Sequence, residues 1–153
     1  MNRAELGELK AMRARAWLVA APLLVLVAAA ETILRTALPA PPGLAVAVAA
    51  LLLAYPTLVA PRRRYASLGY AIDDRELSIA RGIWTRVETV VPLVRVQHID
   101  IAQGPIERRF GVCRLVLHTA GTAHARVVLP GLSRPSAEAM RDAIRAHIVE
   151  DAL

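Results

Sequence analysis

Residues 92–111 read PLVRVQHIDIAQGPIERRFG, and the fold turns on how this stretch is parsed. Residues 94–102 form an extended run. Side chains alternate along a strand, so Arg95 and Gln97 fall on one side and His98 and Asp100 on the other. Gly104-Pro105 breaks the run. Glu107-Arg108-Arg109-Phe110 then predicts a helical turn between strands, closing at Gly111.

On both sides of this stretch the sequence has the grammar of short strands separated by turns. Upstream, residues 65–72, 76–81 and 83–91 are expected strands, with Asp73-Asp74-Arg75 as a turn, Gly82 as a bend and Pro92 as a terminator. Downstream, residues 114–119 and 124–129 are expected strands joined at Ala120-Gly121-Thr122. The period then changes. Ala137, Met140, Ile144 and His147 or Ile148 share one helical face, and Arg141, Asp142 and Arg145 another. Ser133 or Ser136 is the expected cap, with Pro135 beside it. Short turns leave no room for crossovers, so pairing should be antiparallel. The expected class is α+β: a sandwich or open barrel of antiparallel strands over residues 65–153, closed by a C-terminal helix.

Residues 1–60 read differently. Residues 1–15 predict a short amphipathic lead with Leu6, Leu9 and Met12 at helical spacing. Residues 16–60 predict a transmembrane helical hairpin, with spans near 16–36 and 43–60. Residues 38–43, with three prolines and a glycine, are the expected turn, and Pro22 and Pro56 are expected kinks. Glu31 and Arg35 lie four apart, so they share a helical face and can pair near the membrane surface. A carboxylate relaying protons or ions is the rival reading of Glu31. Ala45 and Ala49 form a small-xxx-small face. A cleavable leader ending at Ala28-Ala29-Ala30 competes with the first span, but its two acids and the second apolar segment favour the hairpin.

The formal charge of +6 is uneven. Residues 1–15 carry four basic residues against two acidic ones, Arg62, Arg63 and Arg64 follow the second span, and residues 65–153 hold 11 Arg against 10 acids. The excess therefore flanks the apolar segments, a pattern of membrane orientation and not of nucleic-acid binding. The connecting turn carries only Arg35, so both termini are expected on the cytoplasmic side of the plasma membrane. Cys113 is the single cysteine, which excludes an intramolecular disulfide and predicts a small buried side chain.

Few residues invite chemistry. His98 and Asp100 have the makings of a base and its orienter, but no nucleophile stands at a motif position beside them. His118 and His124 flank a turn, and two histidines alone make a poor metal site. Arg108 and Arg109 read either as a grip on an acidic headgroup or partner carboxylate, with Phe110 packed beneath, or as solvated residues paired to Glu107. Trp84 reads either as a contact near the membrane or as core.

Gly82 with Arg86, Pro92, Arg95 to Asp100, the Gln103-to-Gly111 segment QGPIERRFG, and Leu115 to Gly121 resemble the bacterial PH-like domain of YdbS-type membrane proteins. The resemblance covers essentially the whole chain. It implies a PH-superfold domain on the cytosolic face, a larger multi-domain membrane partner of the same kind or self-association, and no catalytic residues. The expectation is an integral membrane protein that presents the domain as an assembly module, without enzymatic activity, metal or cofactor. The alternatives are acidic-lipid sensing and an accessory role in transport. The expected lipid or partner contacts are Arg62, Arg63, Arg64, Trp84, Arg108 and Arg109.

Overall fold

A computed structural model describes residues 2–35, 41–73, 75–120 and 126–150, with side chains described from residue 4 to residue 147 within those ranges. The chain divides into two compact units, residues 1–11 with 64–153, and residues 12–63.

The first unit holds two antiparallel sheets. One has four strands in sequential order: β1 (Asn2–Arg3), β2 (Gly69–Ile72), β3 (Glu76–Arg81) and β4 (Val87–Pro92). The other has three: β5 (Val96–Ala102), β6 (Cys113–Thr119) and β7 (Arg126–Leu132). Their apolar faces share one core. Leu77, Ile79 and Val91 come from the first sheet; Leu115, Leu117 and Leu129 come from the second. The alternation of β3 explains its orientation, since Leu77 and Ile79 are buried while Glu76 and Arg81 are exposed. Central strand β6 buries Cys113, Leu115, Val116 and Leu117 in near-continuous fashion. Helix α5 (Arg134–Glu150) closes the core with Ala137 and Ile144, and Met140 packs against it. Ser133 Oγ accepts from the Ser136 backbone N–H at 3.3 Å, so Ser133 is the cap. This is the expected α+β sandwich with a C-terminal helix.

Three boundaries differ from expectation. Residues 65–67 continue a helix, so β2 starts at Gly69. The strand expected over 83–91 begins at Val87, because Gly82 takes φ 117° and residues 83–85 bend. A Cβ at Gly82 would overlap the Thr85 carbonyl, which makes glycine necessary for that turn. Pro92 is the last residue of β4, and the single 3₁₀ turn Leu93–Arg95 buries Leu93 before β5 begins. Asp74, residues 38–40 of the turn expected between the spans, residues 121–122 of the hairpin turn and His124 lie outside the described residues.

The second unit is the hairpin. Helix α1 (Leu6–Leu34) supplies it from residue 12 onward. Helix α2 (Leu44–Ala54), a π-helical turn (Tyr55–Val59) and α3 (Ala60–Ser67) make one helical run, in this unit as far as residue 63. Leu6–Leu34 and Leu44–Ser67 are both long and apolar enough to cross a membrane. Leu18, Val25, Leu26, Leu51 and Leu52 are exposed, as suits lipid-facing helices and not core helices. Pro22 lies inside α1, and Pro56 sits in the π-helical turn. Proline has no N–H to give the preceding turn, and a π-turn is a common local accommodation. Thr57 Oγ1 donates to the Leu53 carbonyl at 2.6 Å within that turn.

Contrary to the expectation from their spacing, Glu31 forms no ion pair with Arg35 among the described residues. Its carboxylate instead accepts from the backbone N–H groups of Gly43 and Val46, the latter at 3.2 Å. Four N–H groups at a helix start lack intrahelical partners, and their positive end attracts an anion. The carboxylate therefore caps α2 from the neighbouring helix.

Candidate functional site

The sequence-predicted helical turn is real and short: α4 spans Pro105–Arg109. Its lock is Glu107. One carboxylate oxygen accepts from the Gly104 backbone N–H at 2.7 Å, and the other lies 3.2 Å from Arg114 Nε. That pair is an ionic contact only, since the Arg114 Nε–H is not aligned with the oxygen. Glu107 is 2% exposed, so its charge depends on these partners. The Glu107 carbonyl accepts from Val112 N–H at 3.0 Å, and Gln103 Nε2 donates to the Val112 carbonyl at 2.9 Å. Gly111 supplies the positive φ, 68°, that returns the chain to β6. Glu107 thus serves the loop and Arg114, and the sequence expectation that it partners Arg108 or Arg109 is corrected.

The N-terminal segment is built into the same unit, which sequence reasoning missed. Asn2 pairs with Tyr70 and Arg3 with Gly69, adding β1 to the sheet. Tyr65 Oη donates to the Ala4 carbonyl at 2.8 Å, and Glu5 N–H donates to the Gly131 carbonyl at 2.7 Å. Gly131 has φ 76°, and a Cβ there would fall 2.7 Å from Ala4 Cβ. A Cβ at Gly7 would lie 2.5 Å from the Phe110 carbonyl oxygen, so the first turn of α1 presses on the end of α4. Glu8 and Ala11 are buried. The available signal was Gly7 itself, a poor helix former within an otherwise helical run, where close backbone approach is the usual reason.

This frame leaves Arg108 and Arg109 exposed in the last turn of α4. Among the described residues no ion pair engages either. Arg62, Arg63 and Arg64 are exposed on α3. Trp84 is 84% exposed on the bend between β3 and β4, which puts it outside the core. These candidates occupy three separate elements.

His98, Asp100 and His118 form a cluster that the sequence suggested only in part. His98 and His118 are cross-strand partners on β5 and β6. Asp100 reaches His98 Nε2 at 2.8 Å and His118 Nε2 at 3.3 Å, one through each oxygen. All three side chains are well exposed, so the contacts contribute little to stability. Among the described residues no group of three His, Cys, Asp or Glu is placed to hold a metal ion. Cys113 is 1% exposed and donates to the Leu132 carbonyl at 3.4 Å. Burial pushes its thiol pKa up, Arg134 opposes this, and Glu107 and Glu138 add to it. Burial, with Glu5 adding, likewise raises the Tyr70 phenol.

A β-sandwich closed by one helix, in a chain that also carries two membrane-spanning helices, defines a class of membrane proteins bearing a PH-like fold. The chain belongs to the Bacterial PH domain family, which matches residues 13–148. It is similar to the UPF0699 transmembrane protein YdbS of Bacillus subtilis (strain 168), 32% identical over 95 residues, a match covering 61% of this chain and 58% of that protein. The chain thus matches less than two thirds of that relative's length. No solved structure matches.

Proposed function

We propose that this membrane protein presents its PH-like unit at the cytosolic face as an assembly module, engaging a second protein through α4. The observation that carries this reading is the pairing of a fixed backbone with free cations. Glu107 locks the turn, and Arg108 and Arg109 stand exposed at its end with no ion pair among the described residues. A fixed turn that presents two guanidiniums suits partner carboxylates, since the backbone need not be ordered on binding. The basic flanks Arg13, Arg15 and Arg62–Arg64 support a cytosolic placement of both termini. The partner is a second copy or a larger membrane protein of the same kind, and the role is non-catalytic.

Acidic headgroups are the competing ligand for the same arginines. The full chain in nanodiscs separates the two. The assembly reading predicts that Arg108→Ala with Arg109→Ala removes crosslinks to the co-purifying protein, with no dependence on anionic lipid. Crosslinking that persists in the double variant would refute it. A loss of domain protection only in discs containing phosphatidylglycerol would favour the lipid.

A further inference from the structure

The hairpin holds a groove of about 540 Å³ between α1 and α2 near the turn that joins them. Its volume is in the range of sites that take small ligands, about 300–1,000 Å³. Leu34, Val48, Ala49 and Leu52 line it, and Glu31 and Arg35 are the charged residues on its wall. The two charges are not equivalent. Glu31 is answered by the Gly43 and Val46 N–H groups at the positive end of α2. Arg35, one turn further, is exposed and has no ion pair among the described residues. An apolar groove therefore ends beside a guanidinium that no carboxylate among the described residues answers.

We propose that this groove holds an acyl chain of an anionic membrane lipid, with the lipid phosphate against Arg35. The surroundings of an apolar spanning hairpin are lipid, and guanidinium matches phosphate oxygens bidentately. A long arginine side chain also reaches toward the headgroup level from a position within the span. The same charge argument disfavours a second copy as the occupant. A partner helix would need a carboxylate opposite Arg35, and Glu31, the sole acid between residues 16 and 60, is already engaged. This site is separate from α4, so its failure leaves the assembly reading untouched.

Native mass spectrometry of the full chain in mild detergent, titrated with phosphatidylglycerol or phosphatidylcholine, tests the proposal. The expected result is a retained phosphatidylglycerol adduct that outcompetes phosphatidylcholine. Arg35→Gln should reduce that preference roughly tenfold, the scale of one charge-assisted hydrogen bond. Ala49→Phe fills the groove and should remove the adduct for both lipids. Arg81→Gln, on β3 and outside the groove lining, should change neither. Arg35 is exposed, so its variant keeps the fold and carries the test even if Ala49→Phe does not fold. Unchanged preference in Arg35→Gln overturns the proposal. So does a protein that retains no lipid but dissociates from dimer to monomer on Ala49→Phe, which would assign the groove to a second copy.

Discussion

Gly7 and Phe110 touch through their backbones: a Cβ at position 7 would fall 2.5 Å from the Phe110 carbonyl oxygen and 2.6 Å from Val112 Cγ1. An exposed helical glycine replaced by alanine normally gains about 0.5–1 kcal/mol. Here the sign should reverse, because a backbone carbonyl cannot swing aside as a side-chain tip does. Gly7→Ala should lower the stability of the first unit by roughly 1–3 kcal/mol. Thermal unfolding of the full chain in detergent, followed by its β-sheet signal, reads this directly. A rise in melting temperature would mean that the first turn of α1 does not rest on α4.

Removing the lock on α4 should cost more than removing either arginine it displays. Glu107→Ala loses the acceptor for Gly104 N–H and the ionic partner of Arg114. The expected loss is roughly 2–3 kcal/mol, and Glu107→Gln, which keeps an acceptor oxygen, should lose about half as much. Arg108→Ala and Arg109→Ala should stay within about 0.5 kcal/mol of the parent. Equilibrium denaturation of the four variants ranks them.

Cys113 should resist thiol reagents until the sheets open. Burial holds the thiol protonated and shields it, so maleimide labelling at pH 8 should be slow in the native chain and fast in denaturant. Because the folded pKa is raised, the native state binds the proton more tightly than the unfolded one. Its contribution is fully present below the unfolded thiol's pKa of about 8.5 and is lost as pH rises through the folded value. Tyr70 acts in the same direction at higher pH. Stability measured against pH should therefore fall on the alkaline side, less steeply in Cys113→Ala.

Glu31 should behave as a cap and not as a relay. Glu31→Ala should lower hairpin stability by about 0.5–2 kcal/mol, the range for lost helix caps, while Glu31→Gln should retain much of it. Circular dichroism melts in detergent distinguish the two. Equal losses in both variants would point to the charge and not the hydrogen bonds.

Orientation is open to a direct check. A reporter active only outside the cytosol, fused after residue 153, should be silent, and the same reporter inserted in the 36–40 connection should be active. The reverse pattern would place α4 on the wrong face for a cytosolic partner.

Much of this was legible from local pattern. The Gly104-Pro105 break, the helical turn before Gly111, β3 and the apolar face of α5 all follow from spacing that the structure keeps. Alternation misled at Ile83 and Thr85, because a period of two runs unbroken through the bend that Gly82 permits. The remaining gaps are long-range. The contact of His118 with Asp100 and the seat of Ala4 on Gly131 depend on strand register and on residues far apart in sequence. No window of local sequence encodes them.

Strand β1 and its partner β2 lie on opposite sides of the hairpin in the chain. The membrane segment is therefore an insertion within the PH-like unit. During synthesis β1 is made before the spans and β2 after them, so Asn2 can pair with Tyr70 only once both spans have been made, and the four-stranded sheet is complete only when β4 has followed. Closing so long a loop adds little entropy beyond that of a shorter one, since the cost grows only logarithmically with length. The pairing of β1 with β2 therefore forms only after both spans have been synthesised.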